Sequence, residues 1–308
     1  MRLKQFKKEL PFHLMIWPGM MFFIIFSYLP MFGIIMAFQD FAPRLGFLGS
    51  PWVGLMHFEN MFSDPFFIRA IRNTVAMSVI KYIPSFIMPI VFALMLNELK
   101  NINFKRVIQT VSYLPHFISW VIVASLLQFW LRTDSFGLIN IVLVRLGFLQ
   151  EPIAFLASTR YFWAIAAISE VWKSTGWWSI IYLAAISGVD PGLYEAATID
   201  GAGRFRRMRH ITLPAIKSTV ITILILSVGQ LITGGIGGSN FQQSFLLMNP
   251  LNMPVSDIIE TYILRFGLTM GRFSYAAAAG LLQSVVSFSF VVGVNALVRY
   301  LDREEALF

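Results

Sequence analysis

The sequence predicts an all-α protein: a polytopic bundle of six transmembrane helices, read as a single membrane domain over residues 1–308. Three observations carry this. The chain is 57% hydrophobic and only 13% charged, with a mean hydropathy of +0.69, outside the range of soluble domains. From Leu10 to Gln39 there is no Asp, Glu, Lys or Arg, a stretch longer than the roughly 20 residues that cross a bilayer. Comparable apolar runs recur along the chain, and lipid leaves no partner for backbone polar groups outside a helix or a closed barrel.

The first span, 13–38, follows the basic opening "MRLKQFKKEL". It is too long for a secretory signal and no small-residue cleavage site follows, so it is expected to remain as a helix. The second and third spans, 73–96 and 107–131, flank a short basic connection. The fourth covers 161–187. The fifth, 217–236, dissolves into "TGGIGGSN", whose glycines weaken a helix. The sixth is 275–298. Between spans, stretches such as "FAPRLGFLGSPWVG" read as turns or short interfacial helices. With the N-terminus in the cytoplasm, the inner segments hold 14 Lys and Arg and the longer outer segments 8. That asymmetry predicts N-in, C-in.

Several chemistries are absent. There is no cysteine, which removes disulfides, thiolate metal sites and thiol nucleophiles. Four scattered histidines show no ligand spacing, and no GxxxxGK[ST], HExxH or GxSxG occurs. The net charge of +8 fits cytoplasmic anchoring residues better than nucleic acid. A membrane enzyme built on Glu170 lacks a second acid or a metal.

One segment interrupts the apolar pattern: "VDPGLYEAATIDGAGRFRRMRHITLP". Asp190 is suited to cap a helix with Pro191 at its first position, and Gly201 or Gly203 to end it. Beyond the glycines, Phe205, Met208 and Ile211 recur every three residues, with Arg204, Arg206, Arg207 and Arg209 in other directions and Pro214 as a stop. The expected product is a small amphipathic helix with an apolar ridge and a basic rim. Composition alone makes it a basic loop that fixes topology. Its spacing says more: Glu195, Ala196, Ala197, three residues, Gly201, nine residues, Ile211, one residue, Leu213, Pro214.

That pattern resembles the EAA loop of the membrane permease subunits of binding-protein-dependent ATP-binding-cassette importers. The resemblance implies that residues 190–214, with Asp200, Gly201, Arg204, Phe205 and Met208 among them, form a coupling helix seated in a cleft of a separate ATPase. "SYLPMFGIIMAFQDF", "SPWVGLMHFENMF", "YLPHFISWVIVASLLQFWL" and "VWKSTGWWSIIYLAAISGVDPGLYEAA" are similar to the carbohydrate branch, especially the subgroup taking up complex oligosaccharides. After the loop, "TGGIGGSNFQQSFLLMNP" departs from the GGP-type motif of many sugar permeases. The resemblance implies a multi-pass protein of the bacterial inner membrane, a transport subunit rather than an enzyme. Its expected partners are a second homologous permease, two cytoplasmic ATPases, an extracytoplasmic substrate-binding protein, the bilayer and an oligosaccharide. It binds no cofactor itself; ATP and Mg belong to the ATPases. A permease for another solute class, or an ion-gradient-driven secondary transporter, remains the alternative.

Charged residues within spans are costly and usually pair or line a cavity. Glu170 and Lys173, three apart, are placed to neutralise one another, and Lys81 is expected to snorkel outward. A second use is open for the same helix, because Glu170, Ser174 and Trp177 share one face. Ser227, Gln230 and Gly234 do likewise in the fifth span. In the resembling maltose-type permeases, the helices before and after the EAA loop line the path, which makes Glu170, Lys173, Ser174, Trp177, Ser227, Gln230 and Gly234 the candidate sugar contacts. Hydroxyls and amides can bind sugar hydroxyls and an indole can stack on a sugar face. Lys81, Lys173, His116, Arg132 and Arg272 leave open whether the sugar is acidic.

Overall fold

The computed structural model describes residues 2–234 and 238–301. The described chain is helical almost throughout, and its residues 2–301 divide into two compact units. The first comprises the chain through Asp64 and Ile263–Leu282. It starts with α1 (Arg2–Phe23), which continues through a π turn (Ile24–Tyr28) and a 3-10 helix (Leu29–Phe38), then α2 (Gly46–Gly49) and α3 (Met56–Ser63). Leu10–Phe38 has a mean hydropathy of 2.2 over its most apolar window, the first span in substance. After it, Gln39 pairs antiparallel with Trp52, Phe38 stacks on Trp52 at 5.8 Å, and His57 Nε2 meets the Gln39 carbonyl at 3.0 Å.

The second unit contains α4 (Pro65–Asn97), α5 (Ile102–Phe117), α6 (Trp120–Trp130), α7 (Leu138–Arg145), α8 (Phe162–Ser187), α9 (Pro191–Ile199), α10 (Arg204–Arg207), α11 (Leu213–Ala215), α12 (Lys217–Val228), α13 (Asn240–Leu247), α14 (Met253–Ser256) and most of α15 (Ile259–Leu264). Helix α16 (Phe273–Leu301) contributes its second half. α8 packs along α4 on one side and against α5 on the other. One apolar cluster joins Met77, Ala124, Phe162, Ala166, Leu247 and Ile258. A second joins Ala93, Leu94, Tyr182, Ile186, Ile216 and Ile223.

Three expected spans change shape. The second begins at Pro65 rather than 73, with proline at the first helical position, where its missing N–H costs nothing. The third is two helices, α5 and α6, bent by 97°. Its break follows Pro115: Ile118 is extended, and Ser119 restarts the chain as N-cap, accepting from the Ile122 N–H at 3.4 Å. The fifth ends at Val228 and continues as tight turns to Gly234; its predicted last residues, 235 and 236, lie outside the described residues. Three described helices are long and apolar enough to cross a membrane, or five if each bent pair is one span. The predicted fourth span falls on α8, 26 residues long, which is not among those helices.

Candidate functional site

The loop 190–214 folds locally as its residues dictate. The Asp190 carboxylate accepts from the Gly192 N–H at 2.8 Å, with Pro191 at the first helical position. Helix α9 then stops in a paired closure: Gly201 N–H to Thr198 carbonyl at 3.1 Å and Ala202 N–H to Ala197 carbonyl at 2.8 Å. Gly201 holds φ at +73°, the left-handed region open to glycine. Arg207 donates to Thr198 Oγ1 at 2.8 Å, and Tyr194 and Thr212 hydroxyls share a 3.0 Å bond. Arg204 reaches Glu98 at 3.9 Å.

The expected apolar ridge of Phe205, Met208 and Ile211 does not form. A π turn over Met208–Thr212 adds a residue to the turn and rotates the faces. Phe205 is left exposed, Ile211 is half-buried, and Met208 packs inward on the Ala93–Tyr182–Ile216 cluster. Pro214 does not end the helix; the chain runs to Ala215 and then bends by 59° into α12. The exposed apolar groups are Leu193, Phe205 and above all Ile199, 88% exposed, a residue that the motif spacing does not single out. Glu195, Ala196, Asp200, Leu213 and Pro214 are also exposed, and Ala197 is half-buried. Asp200, Ala197, Arg206, Arg207, His210 and Ile211 line a recess of about 310 Å³ beside them. The loop thus offers apolar tips outward while Met208 and Ile216 seat it on α4 and α8.

Inside the bundle, the charges pair differently from expectation. Lys81 does not snorkel: it is fully buried, 3.6 Å from Glu170 Oε2, and donates to Ser239 Oγ at 2.7 Å and Asn240 Oδ1 at 2.9 Å. Ser239 donates to the same Glu170 oxygen. Asn240 donates to Ser78 Oγ at 2.8 Å and the Ile232 carbonyl at 3.1 Å. Glu170 therefore neutralises Lys81, not Lys173, because α4 packs along α8 and brings the two charges together across helices. Lys173 points to α5, where it donates to the carbonyls of Pro115 at 3.2 Å and His116 at 2.5 Å and lies 5.8 Å from the Trp120 ring. It bonds the carbonyls of the last turn of α5, as a cation at a helix C-terminus does.

The remaining path candidates are partly consumed by the fold. Ser174 is buried and donates to the Glu170 carbonyl at 2.7 Å. Trp177 is half-buried and stacks on His116 at 4.4 Å, so that one ring face is occupied. Ser227 is buried against the Tyr82 hydroxyl at 2.7 Å. Gln230 is exposed, but α12 ends two residues before it, so the shared helical face with Gly234 does not exist. Gly234, at φ +119°, lies against the Ser239 and Asn240 backbone. What sequence reasoning missed is Ser239 and Asn240 as partners of Lys81; the available signal was that two opposite charges in adjacent apolar spans need each other.

Non-helical backbone at this depth requires protein partners in place of water, and polar side chains provide them. Asn73 donates to the Asp257 and Pro254 carbonyls at 2.9 and 3.0 Å, Gln243 to Ala166 at 3.0 Å, Gln128 to Leu246 at 2.8 Å and the Trp163 indole to Val255 at 2.9 Å. Segment 238–258 is thereby fastened to α4, α6 and α8. Among the described residues no cluster of His, Asp or Glu is placed to hold a metal.

Apolar helices that enclose a satisfied polar centre, with a structured loop offering apolar tips, define a membrane transport component. Residues 85–305 match the binding-protein-dependent transport system inner membrane component family, and the chain belongs to it. Among its relatives in Bacillus subtilis are the protein LplB, 43% identical over 97% of this chain and 91% of that one, and the polygalacturonan/rhamnogalacturonan transport system permease protein YteP, 45% identical over 95% and 88%. In a crystal structure of a bacterial ABC transporter involved in the import of the acidic polysaccharide alginate, one chain matches at a TM-score of 0.88 and 38% identity, covering 98% of this chain and 100% of that one. A second structure of a bacterial alginate ABC transporter, in complex with an alginate pentasaccharide-bound periplasmic protein, matches at 0.87 and 37%, covering 97% of each chain. The protein is an inner-membrane permease subunit of an importer, not an enzyme.

Proposed function

We propose that the chain is one half of the translocation path for a uronate-containing oligosaccharide, in a single permease domain with six spans, N-in and C-in. It pairs with a second homologous permease and receives cargo from a substrate-binding protein. Two cytoplasmic ATPases that bind ATP and Mg drive it through residues 190–214. The excess of Lys and Arg in the inner segments supports the orientation. The acidic character rests on the substrates named for YteP and for the alginate transporters. Lys81 and Lys173 are engaged within the fold, so the sugar carboxylates are read elsewhere on the path.

The observation that carries the coupling role is the loop's two-sided construction. Leu193, Ile199 and Phe205 are exposed for an ATPase cleft, while Met208 and Ile216 sit in the apolar cluster of α4 and α8. A push on α9 reaches the spans through packed side chains, and rigid-body rocking follows. Gly201→Asp tests it. The position has open space for a Cβ but a left-handed φ, which costs a non-glycine residue about 1–2 kcal/mol, and the new carboxylate stands on the docking face. The expected outcome is an assembled complex whose basal ATPase activity persists while cargo-stimulated ATPase and uptake are lost. Normal stimulated ATPase and uptake would refute the coupling assignment.

A further inference from the structure

An apolar groove of about 420 Å³ opens between α6, α7 and α8, away from the charged centre, and we propose that it holds an acyl chain of a membrane phospholipid. Leu127 and Trp130 of α6, Leu143 of α7, and Ala164, Ile168 and Trp172 of α8 line it. Of its two hydroxyl-bearing residues, Ser169 and Tyr161, the Ser169 hydroxyl is spent on the Ile165 and Ala166 carbonyls at 2.8 and 3.1 Å. The rest of the lining is aliphatic and aromatic, a surface matched to hydrocarbon.

Two features give the groove an amphiphile's polarity. At Leu131 it adjoins a polar recess of about 360 Å³ lined by Gln128, Arg132 and Thr133. Arg132 is paired with Asp134, but Arg145 at the end of α7 and Arg160 beside the groove's Tyr161 are exposed, the latter 5.7 Å from the Tyr161 ring. Their charge complements a headgroup phosphate, and Trp130 at the end of α6 and Tyr161 at the start of α8 are aromatic residues of the kind found at a membrane interface.

Helix α7 supports the same placement. Leu138, Val142 and Leu146 follow at i, i+4 and i+8 and are all exposed, the apolar stripe of a helix lying in the interface. Asn140, on another face, is buried and fixes α7 by donating to the Arg132 carbonyl at 2.7 Å and the Ile153 carbonyl at 2.9 Å. A partner helix is the other conceivable occupant. Helix pairs in membranes meet through small residues, whereas this lining is bulky except at Ala164 and Ser169.

The chain has no cysteine, so Ile168→Cys provides one attachment point in this subunit for a benzophenone at the rim. The full importer, reconstituted in nanodiscs of phosphatidylglycerol and phosphatidylethanolamine, is illuminated and the adduct on this chain weighed. A phospholipid adduct is expected; a polypeptide adduct would overturn the proposal. Ala164→Trp in the same background fills the groove and should cut the lipid adduct roughly tenfold or more, as loss of a few buried methylenes requires. An unchanged yield in the folded variant also overturns it. Should that variant not assemble, Arg145→Glu with Arg160→Glu, both at exposed positions, takes its place. Lowered lipid capture supports the headgroup site, and unchanged capture refutes it.

Discussion

Glu170→Ala is expected to destabilise the permease severely and cut its accumulation several-fold. It removes the carboxylate paired at 3.6 Å with Lys81, whose side chain is fully buried. Breaking a buried pair from one side costs about 3–5 kcal/mol because the other charge stays behind without compensation, and a whole domain is stable by only about 5–15 kcal/mol. The loss also spreads. Ser239 loses its acceptor, and with Lys81 it positions the turn that carries Asn240 onto Ser78 and Ile232. Lys81→Ala is expected to be similarly severe, leaving Glu170 and the Asn240 Oδ1 without their cation.

The pair can be separated from a role in touching cargo. Replacing both charges by apolar residues of similar volume is often neutral, so Lys81→Met with Glu170→Met should recover much of the stability that either single methionine variant loses. The thermal midpoint of the purified importer measures this, and the cycle is expected to show coupling of at least ~1 kcal/mol. If the two residues position segment 238–247 and do not bind sugar, uptake returns with stability. Full recovery of the midpoint with uptake still lost would make them cargo contacts and reject the positioning role.

How legible this was in the sequence depended on how local the determinants were. The Asp190 cap, the Pro191 start and a glycine stop are set within a few residues; the structure has the first two as expected and takes Gly201, of the two glycines read as able to end the helix, as the stop. The long helices that begin and end the described chain and α4 between them, too, follow from apolar runs that have no other solution in lipid. What was not legible depended on partners distant in sequence. Glu170 had Lys173 beside it in the chain, yet the packing of α8 along α4 gave it Lys81 instead. The ridge through Met208 failed for a subtler reason: a π turn changes the period on which any face assignment rests. The break between α5 and α6 was signalled by Pro115 and Ser119, but an apolar run from 107 to 131 conceals a bend that costs no hydrophobicity. In the stretch after Gly234, the bonds that fasten it to α4, α6 and α8 join residues that are neighbours only in the folded chain.

The bend of the third span also leaves Gly176 of α8 no room for a methyl group. A Cβ there would fall within the van der Waals radius of the Ser112 carbonyl, which belongs to the backbone of α5 and cannot rotate away. One turn of α5 further on, Lys173 holds the Pro115 and His116 carbonyls and Trp177 stacks on His116, so α5 cannot retreat without releasing both. Gly176→Ala is therefore expected to destabilise by about 1–3 kcal/mol, the range for overpacking a filled interior. Gly293→Ala is its internal control, for it lies in α16 with nothing within 4 Å of the added carbon. In a helix, that change should be neutral or favourable by about 0.4–1 kcal/mol. The two variants, identical in chemistry and opposite in expected sign, are compared by thermal midpoint in one preparation. Equal midpoints would mean that α5 and α8 do not approach through Gly176, and that the contact holding the bend lies elsewhere.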